Sequence, residues 1–401
     1  MNNGMVALAP TLDSRASDRS NRVVWLWRLV LIALSVSLPL LILEFVLRTV
    51  GPVLPGNYLG YLYLEPHPVY GFFHVPSSSG WLKTNEYMTH VEINPNGLRE
   101  RDIAYPKPAD VRRVLVIGDS FVEGAQVVTE DLMTRRLESI LTQRTSLQYE
   151  VINAGVAAWG TDQEYVFLKS EGLQYQPDLV VNLFYTGNDV ENNSSKIKRT
   201  NGQPRKPYFE LSSSGGLRAQ PFVPRAPREE DSADKLRRSS LLFGLLDPRS
   251  GVGSVDDNDE SLERQLVLHE LPVYSERSNV RWEEAWKVTE ALQVAMRDEV
   301  QRAGTPFLLV NAPTKWEIYP DDWAELRKRN ALPSAGWDLS GPSRKLNEIA
   351  RRNGFQYLDL RPALQSAASG PRLYYRTDIH WTPAGHVAAA EAIADAIVPL
   401  K

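Results

Sequence analysis

The chain has 401 residues, 43% hydrophobic and 23% charged, with a formal net charge of −4. That length can bury a full α/β core and carry an appended module, and the charge lacks the basic field that nucleic acid demands. Cysteine is absent, which excludes disulfides, thiolate nucleophiles and cysteine-type zinc sites, and the six histidines are too scattered for a paired metal-ligand word.

In chain order, residues 1–22 read as a disordered tail, and residues 23–50 are strongly apolar, with no charge at all over 29–43. About 20 apolar residues span a bilayer, so 23–50 is read as a transmembrane anchor whose partner is lipid. Trp25, Trp27 and Arg28 suit the interface, and Pro39 gives a mild kink. Arg15, Arg19, Arg22 and Arg28 precede the apolar stretch and only Arg48 follows closely. The positive-inside bias then sets the tail in the cytoplasm and the rest of the chain in the periplasm or on the cell surface. A cleaved signal peptide is the rival; the long polar lead before Val23 and the lack of an Ala-x-Ala word after Leu43 favour an uncleaved anchor.

Residues 51–110 are rich in Pro, Gly and aromatics, including Tyr58, Tyr61, Tyr70, Phe73 and Trp81, with an alternating piece at 90–93 and a turn at 94–97. They read as a membrane-proximal β-rich collar, first a mechanical spacer and second a contributor to substrate binding. Residues 111–401 alternate as α/β domains do. Strands are expected at 114–117, 149–152, 179–184, 307–311 and 356–360, and helices at 131–144, 162–171, 281–302, 341–352 and 383–397, implying a mostly parallel sheet with helices on both faces. An insertion at 192–278 interrupts this pattern, with acidic runs at 229–231 and 256–260, a hairpin within 208–222 and an apolar helix or membrane-facing patch at 241–246. A lid and a solvent-exposed excursion fit it equally well.

Four short words carry the chemistry. Gly118-Asp119-Ser120 ends the apolar run Val114-Leu115-Val116-Ile117, at the carboxyl end of a strand, where α/β sheets carry their functional groups. Gly118 and Gly124 flank a tight turn that exposes a hydroxyl together with its own backbone N–H. Asn153-Ala154-Gly155 follows the second strand, where a glycine lets its N–H approach a reacting oxygen. Gly187-Asn188-Asp189 follows the third, where the Asn188 amide supplies a further donor and Asp189 reads as a cap or turn residue. Asp378-Ile379-His380 comes last, in a loop before the final helix. A serine hydroxyl cannot attack an ester alone at neutral pH; an imidazole must take its proton, and a carboxylate must hold that imidazole. The candidate catalytic residues are therefore Ser120, His380 and Asp378, the candidate oxyanion donors are Ser120, Gly155 and Asn188, and the chemistry asks for no metal or cofactor. His386, on the following helix, reads as a packing or capping residue. Trp159, Tyr185, Trp316 and Trp381 are candidates for stacking on sugar rings, against ordinary core packing. No GxGxxG or Walker-type loop follows the first strand, which argues against nucleotide binding.

These words resemble the four blocks of the SGNH, or GDSL-type, hydrolase superfamily over residues 112–398 apart from the insertion. The resemblance implies a three-layer α/β/α flavodoxin-like fold with a mostly parallel sheet. It gives Ser120 the role of nucleophile, Gly155 and Asn188 those of oxyanion donors, and Asp378 and His380 those of acid and base. There are two departures: Thr186 holds the place of the usual glycine in the third block, and the last block is Asp-x-His in place of Asp-x-x-His. With Trp381 it is similar to the Asp-x-His-Trp word of the alginate O-acetyltransferase branch. Asn96-Gly97-Leu98-Arg99 is similar to the anchored bacterial branch associated with envelope polysaccharides. The implied function is a membrane-tethered serine esterase or O-acyltransferase working through an acyl-enzyme on ester groups, acetyl first among them, of an extracytoplasmic polysaccharide. Its substrate would be an acylated glycan or small ester, with a membrane acyltransferase as a candidate partner and no nucleic acid. The alternative is a non-catalytic protein of the same fold that binds glycan or scaffolds an acylation system.

Overall fold

The computed structural model describes residues 13–52, 56–57, 63–198, 205–213, 215–226, 232–246, 269–277 and 279–398. Residues 1–12 of the expected tail, Tyr58 and Tyr61 of the collar, and both acidic runs of the insertion lie outside them. From Asp13 onward the expected tail is helical, continuous with the apolar stretch as the single helix Asp13–Val50. A polar segment that cannot nucleate a helix alone can extend one already formed.

The chain forms two compact units. The smaller holds Asp13–Val50 and two short helices of the insertion, Ser232–Ser239 and Leu241–Leu246. Arg22–Val50 is long and apolar enough to cross a bilayer, and its apolar side chains are largely exposed, Leu31 by 62% and Leu41 by 65%. Near its end Glu44 accepts from Ser240 Oγ at 2.9 Å and from the N–H groups of Leu241 and Leu242 at 3.1 and 3.0 Å. A carboxylate at a helix N-terminus satisfies donors the helix leaves open. The apolar segment 241–246 is thus a helix capped by the N-terminal one.

The larger unit is centred on five strands, β1 Val111–Gly118, β2 Gln148–Gly155, β3 Leu179–Tyr185, β4 Phe307–Ala312 and β5 Gln356–Asp359. They lie in the order β5-β4-β3-β1-β2 and are all parallel. The order reverses at β1, so a crevice opens between the carboxyl ends of β1 and β3, where open α/β sheets bind ligands. The helices that matter here are α1 Ser120–Glu123, α2 Met133–Thr145, α3 Thr161–Ser170, α4 Asp189–Asn192, α5 Val280–Arg302, α6 Gly341–Asn353 and α7 Pro383–Ile397. All five expected strands and all five longer helices are present. Three further helices, Lys315–Ile318, Pro320–Arg329 and Arg361–Ala367, were not expected; two of them are too brief for periodicity to mark, and Pro320–Arg329 buries only Leu326, so it carries no apolar stripe.

Strand residues alternate between two cores, as a sheet covered on both faces requires. Val114, Val116, Val181, Leu183, Leu308 and Val310 pack with Leu137 and Leu141 of α2 and Ala389, Ala390 and Ile393 of α7. Leu115, Ile117, Val180 and Leu309 face the other way, onto Phe167 of α3, Met296 and Val300 of α5, and Leu346 and Ile349 of α6. Each such aliphatic side chain contributes about 1.5–3 kcal/mol by leaving water, which is why the strands read as unbroken apolar runs.

The collar contains two antiparallel hairpins, Leu64–His67 with Gly71–His74 and Ser79–Lys83 with Met88–Glu92. Its Tyr70, Phe73, Leu98 and Ile103 belong to the same core as α3, with Phe73 stacked on Trp159 at 5.5 Å between ring centroids. A spacer would carry a core of its own; this segment shares the core of the sheet unit.

Candidate active site

At the end of β1 the backbone is tightly enclosed: a Cβ on Gly118 would lie 2.5 Å from Val122 Cγ2 and 2.8 Å from the Leu183 carbonyl oxygen. Asp119 caps α1, its Oδ1 accepting from the Phe121 N–H at 2.9 Å. One turn later Gly124 closes the helix at φ +65°, its N–H donating to the Ser120 carbonyl at 2.8 Å. Ser120 is thereby held half-buried as the first residue of α1, and among the described residues its own N–H has no acceptor.

The collar braces this turn from below. Arg99, the last residue of the Asn96-Gly97-Leu98-Arg99 word, is buried and donates to the carbonyls of Glu123, at 3.0 Å, Gly124, and Val127, at 2.6 Å. Glu123 and Gly124 end the one-turn helix, where carbonyls lack partners within the helix, and Val127 lies in the turn that follows, its N–H donating to the Gly124 carbonyl at 3.1 Å. Glu123, also buried, accepts from the Tyr63 hydroxyl and from the Ala157 N–H at 2.5 Å, with His74 Nε2 3.4 Å away. Burial opposes its charge, but His74, Tyr63 and the Ala157 N–H outweigh that and hold its carboxyl below the usual range.

Asp378 and His380 lie in an irregular loop that the Tyr374–Trp381 bridge pinches off before α7. His380 Nε2 is 2.8 Å from Ser120 Oγ, and its Nδ1 is 2.5 Å from Asp378 Oδ1. With Nδ1–H donating to the carboxylate, Nε2 is left to accept the serine proton. The His380 backbone N–H also donates to Asp378 Oδ1, at 2.9 Å. One oxygen holding both groups of the same residue makes the shortened Asp-x-His spacing workable. Trp381 is fully buried and meets Phe121 edge-on at 5.0 Å, and the His380 ring lies 5.0 Å from Phe121.

Burial works against a charged His380, but the Asp378 carboxylate, helped by Asp119 and Glu270, outweighs it and raises the imidazole above its ordinary value. For Asp378, burial raises the carboxyl while His380 and the Tyr87 hydroxyl lower it further, leaving it well below the usual range. Burial pushes Asp119 up to about 7 and Glu270 up to about 7. His386 is buried, takes the Met133 N–H on Nδ1 at 3.1 Å, and is driven by burial and by the charges of Arg99 and His380 down to about 3. It is a neutral packing residue.

The three candidate oxyanion donors fare differently. Asn188 is half-buried at the end of β3, as the residue capping α4; its Oδ1 is buried without a partner and no side-chain hydrogen bond among the described residues ties its amide elsewhere. Phe121 stacks on Tyr185 at 4.1 Å, so the strand ends bearing Ser120 and Asn188 are neighbours. Asp189 starts α4 and accepts the Tyr185 N–H at 2.8 Å. The Gly155 N–H, by contrast, donates to Asn153 Oδ1 at 3.0 Å. A Cβ there would sit 2.1 Å from the Glu123 nitrogen. Glycine is required at 155 because β2 ends against the turn that bears Ser120, and its N–H is engaged within the protein. Three residues on, exposed Ala158 has φ +63° and an N–H with no acceptor among the described residues, while Ala157 and Trp159 donate to Glu123 and Val156.

The aromatics proposed for sugar stacking are core residues: Trp159, Tyr185 and Trp381 are fully buried and Trp316 nearly so. Among the described residues no group of three or more His, Asp or Glu is arranged to hold a metal.

Residues 274–401 match a family described as SGNH hydrolase-like domain, acetyltransferase AlgX. A 107-residue stretch is 28% identical to a probable alginate O-acetylase AlgJ of Pseudomonas putida, covering 27% of this chain and 26% of that protein. A similar stretch is 30% identical to the corresponding protein of Pseudomonas syringae pv. tomato, with the same coverage. The chain thus matches about a quarter of the length of these relatives, 26%. Among solved structures, Axe2, an acetylxylan esterase from Geobacillus stearothermophilus, aligns with 71% of this chain and 94% of its own at 13% identity and a TM-score of 0.37.

Proposed function

We propose, on the premise that this chain belongs to the SGNH hydrolase superfamily in its alginate O-acetyltransferase branch, that it is a serine-dependent enzyme handling acetyl groups on an extracytoplasmic polysaccharide. Residues 23–50 tether it to the membrane, with the N-terminus cytoplasmic. The observation that carries this reading is the unbroken run from Ser120 Oγ to His380 at 2.8 Å and from His380 to Asp378 at 2.5 Å. His380 Nε2 takes the hydroxyl proton as Ser120 Oγ attacks the ester carbonyl, and Asp378 stabilises the imidazolium. The developing oxyanion is met by the Ser120 N–H and the Asn188 amide, both left open by the protein. A single such donor is worth about 3 kcal/mol.

Collapse of the tetrahedral intermediate expels the sugar alkoxide, which takes the proton from His380, and leaves acetyl-Ser120. Water attacking that ester gives an esterase; a sugar hydroxyl gives a transferase, with His380 again removing the proton. The full-length protein in detergent is assayed with p-nitrophenyl acetate, with and without an acceptor oligosaccharide. Acetylated oligosaccharide identifies a transferase, and release of acetate alone an esterase. Ser120→Ala removes both activities and blocks labelling by a fluorophosphonate. Turnover that survives Ser120→Ala rejects Ser120 as the nucleophile, and a folded wild type that neither turns over nor labels rejects the reading in favour of a binding or scaffold protein.

A further inference from the structure

The loop bearing Asp378 and His380 has no regular structure to hold it, yet the acid must keep its position to a fraction of an ångström. The fixing groups come from the collar, some 290 residues earlier in the chain. Between the strands Ser79–Lys83 and Met88–Glu92 the chain turns tightly: Thr84 Oγ1 accepts from the N–H groups of Glu86 and Tyr87 at 3.1 and 3.2 Å. This aims both side chains at the loop. The Glu86 carboxylate accepts from the N–H groups of Arg376, Thr377 and Asp378 at 2.6, 2.9 and 3.2 Å and from Thr377 Oγ1 at 2.6 Å. The Tyr87 hydroxyl donates to Asp378 Oδ2 at 2.7 Å, the oxygen that His380 does not use. From the opposite side Lys315 Nζ donates to the carbonyls of Arg376 and Asp378 at 3.0 and 3.3 Å.

We propose that the tip of this collar hairpin is part of the catalytic apparatus, with Tyr87 and Glu86 as positioning residues that orient Asp378 and set the basicity of the Asp378–His380 pair. The proposal rests on the triad reading above. Tyr87 takes up the second carboxylate oxygen, so Asp378 cannot rotate about its terminal bond without losing two charge-assisted hydrogen bonds at once. Its donation also draws charge from the oxygen facing His380. Removing the hydroxyl leaves that oxygen more negative and the imidazolium more strongly held. The other titratable groups facing the pair are Asp119 and Glu270, which favour the imidazolium, Lys315, whose charge opposes it, the neutral His386, and Tyr375 within the loop.

Tyr87→Phe keeps the ring, which packs on Tyr375 at 4.8 Å between centroids, and deletes only the hydroxyl. In full-length protein turning over p-nitrophenyl acetate, kcat falls roughly tenfold, the loss expected for a hydrogen bond to a charged group, while KM is little changed. The acid limb of kcat/KM moves to higher pH. Glu86→Ala lowers kcat by a similar or larger factor, and Glu86→Gln recovers part of it because an amide oxygen still accepts. Melting temperatures of all variants are recorded alongside. Tyr87→Phe with wild-type kcat and an unmoved pH profile overturns the proposal while Ser120→Ala remains inactive. If Ser120→Ala retains activity, the triad reading fails first. A Glu86→Ala loss that tracks only a lowered melting temperature, with the pH profile of Tyr87→Phe unmoved, also counts against it.

Discussion

Ser120 stands at the end of a buried strand and Asp378 in a loop without regular structure, and the site immobilises them by different means. Ser120 is placed by backbone: β1 is paired on both sides, Gly118 and Gly155 admit no side chain, and Arg99 ties down the carbonyls of the turn. The acid is placed by side chains reaching in from elsewhere, Glu86, Tyr87 and Lys315. A position set by a sheet resists single substitutions elsewhere, because many hydrogen bonds share it. A position set by the side chains of three residues is lost piece by piece, and it can be tuned without disturbing the fold.

The largest test of this contrast falls on the acid. Asp378→Asn leaves the loop in place but supports the wrong histidine tautomer, and ester turnover is expected to drop about 10⁴-fold with an unchanged circular dichroism spectrum. Residual activity near wild type would mean that Asp378 does not serve the imidazole. On the Ser120 side, Asn188→Ala is expected to cost about 10²–10³ in kcat, measured at saturating ester. Gly155→Ala separates placement from chemistry. Its Cβ would meet the backbone of Val122 and Glu123, so the expected effect is a loss of stability of at least about 1–3 kcal/mol in a urea titration. A stable Gly155→Ala protein with reduced kcat would instead return Gly155 to the oxyanion role.

The smallest effect is in the pH profile. His380 must be neutral to act as a base, and in the fold its carboxylate partner lifts it above its ordinary value of 6.5. The acid limb of kcat/KM is therefore expected above about 6.5, with activity rising as pH passes through the lifted value. In whatever activity Asp378→Asn retains, the lifting charge is gone while burial remains, so the limb moves down. A limb that lies below the ordinary histidine value in the wild type, or fails to move in the variant, breaks the link between Asp378 and His380.

Much of this was legible in the chain. Unbroken apolar runs such as Val114-Leu115-Val116-Ile117 announce strands covered on both faces, and the functional words stand at their carboxyl ends, so β1, β3, Ser120 and Asn188 follow from local pattern. Glu86 and Tyr87 left no such trace, because a Glu-Tyr pair in a hairpin turn looks like any solvated turn until its partners 290 residues away are in place. Gly155 was legible as a required glycine but not for its reason, which is the close approach of Glu123 and Val122. Trp159, Tyr185, Trp316 and Trp381 carry the same sequence signal whether they face a sugar or a core.

By itself the sequence determined the parallel sheet and the apolar N-terminal helix and marked Ser120, His380 and Asp378 as candidates, because periodicity and short motifs are local properties. Only the tertiary structure decided that the Gly155 N–H is spent on Asn153, that the collar shares the core of the sheet unit and that Tyr87 and Glu86 hold the acid loop. Those are contacts between segments far apart in the chain, and hydrogen-bond geometry exists only once the fold has brought them together.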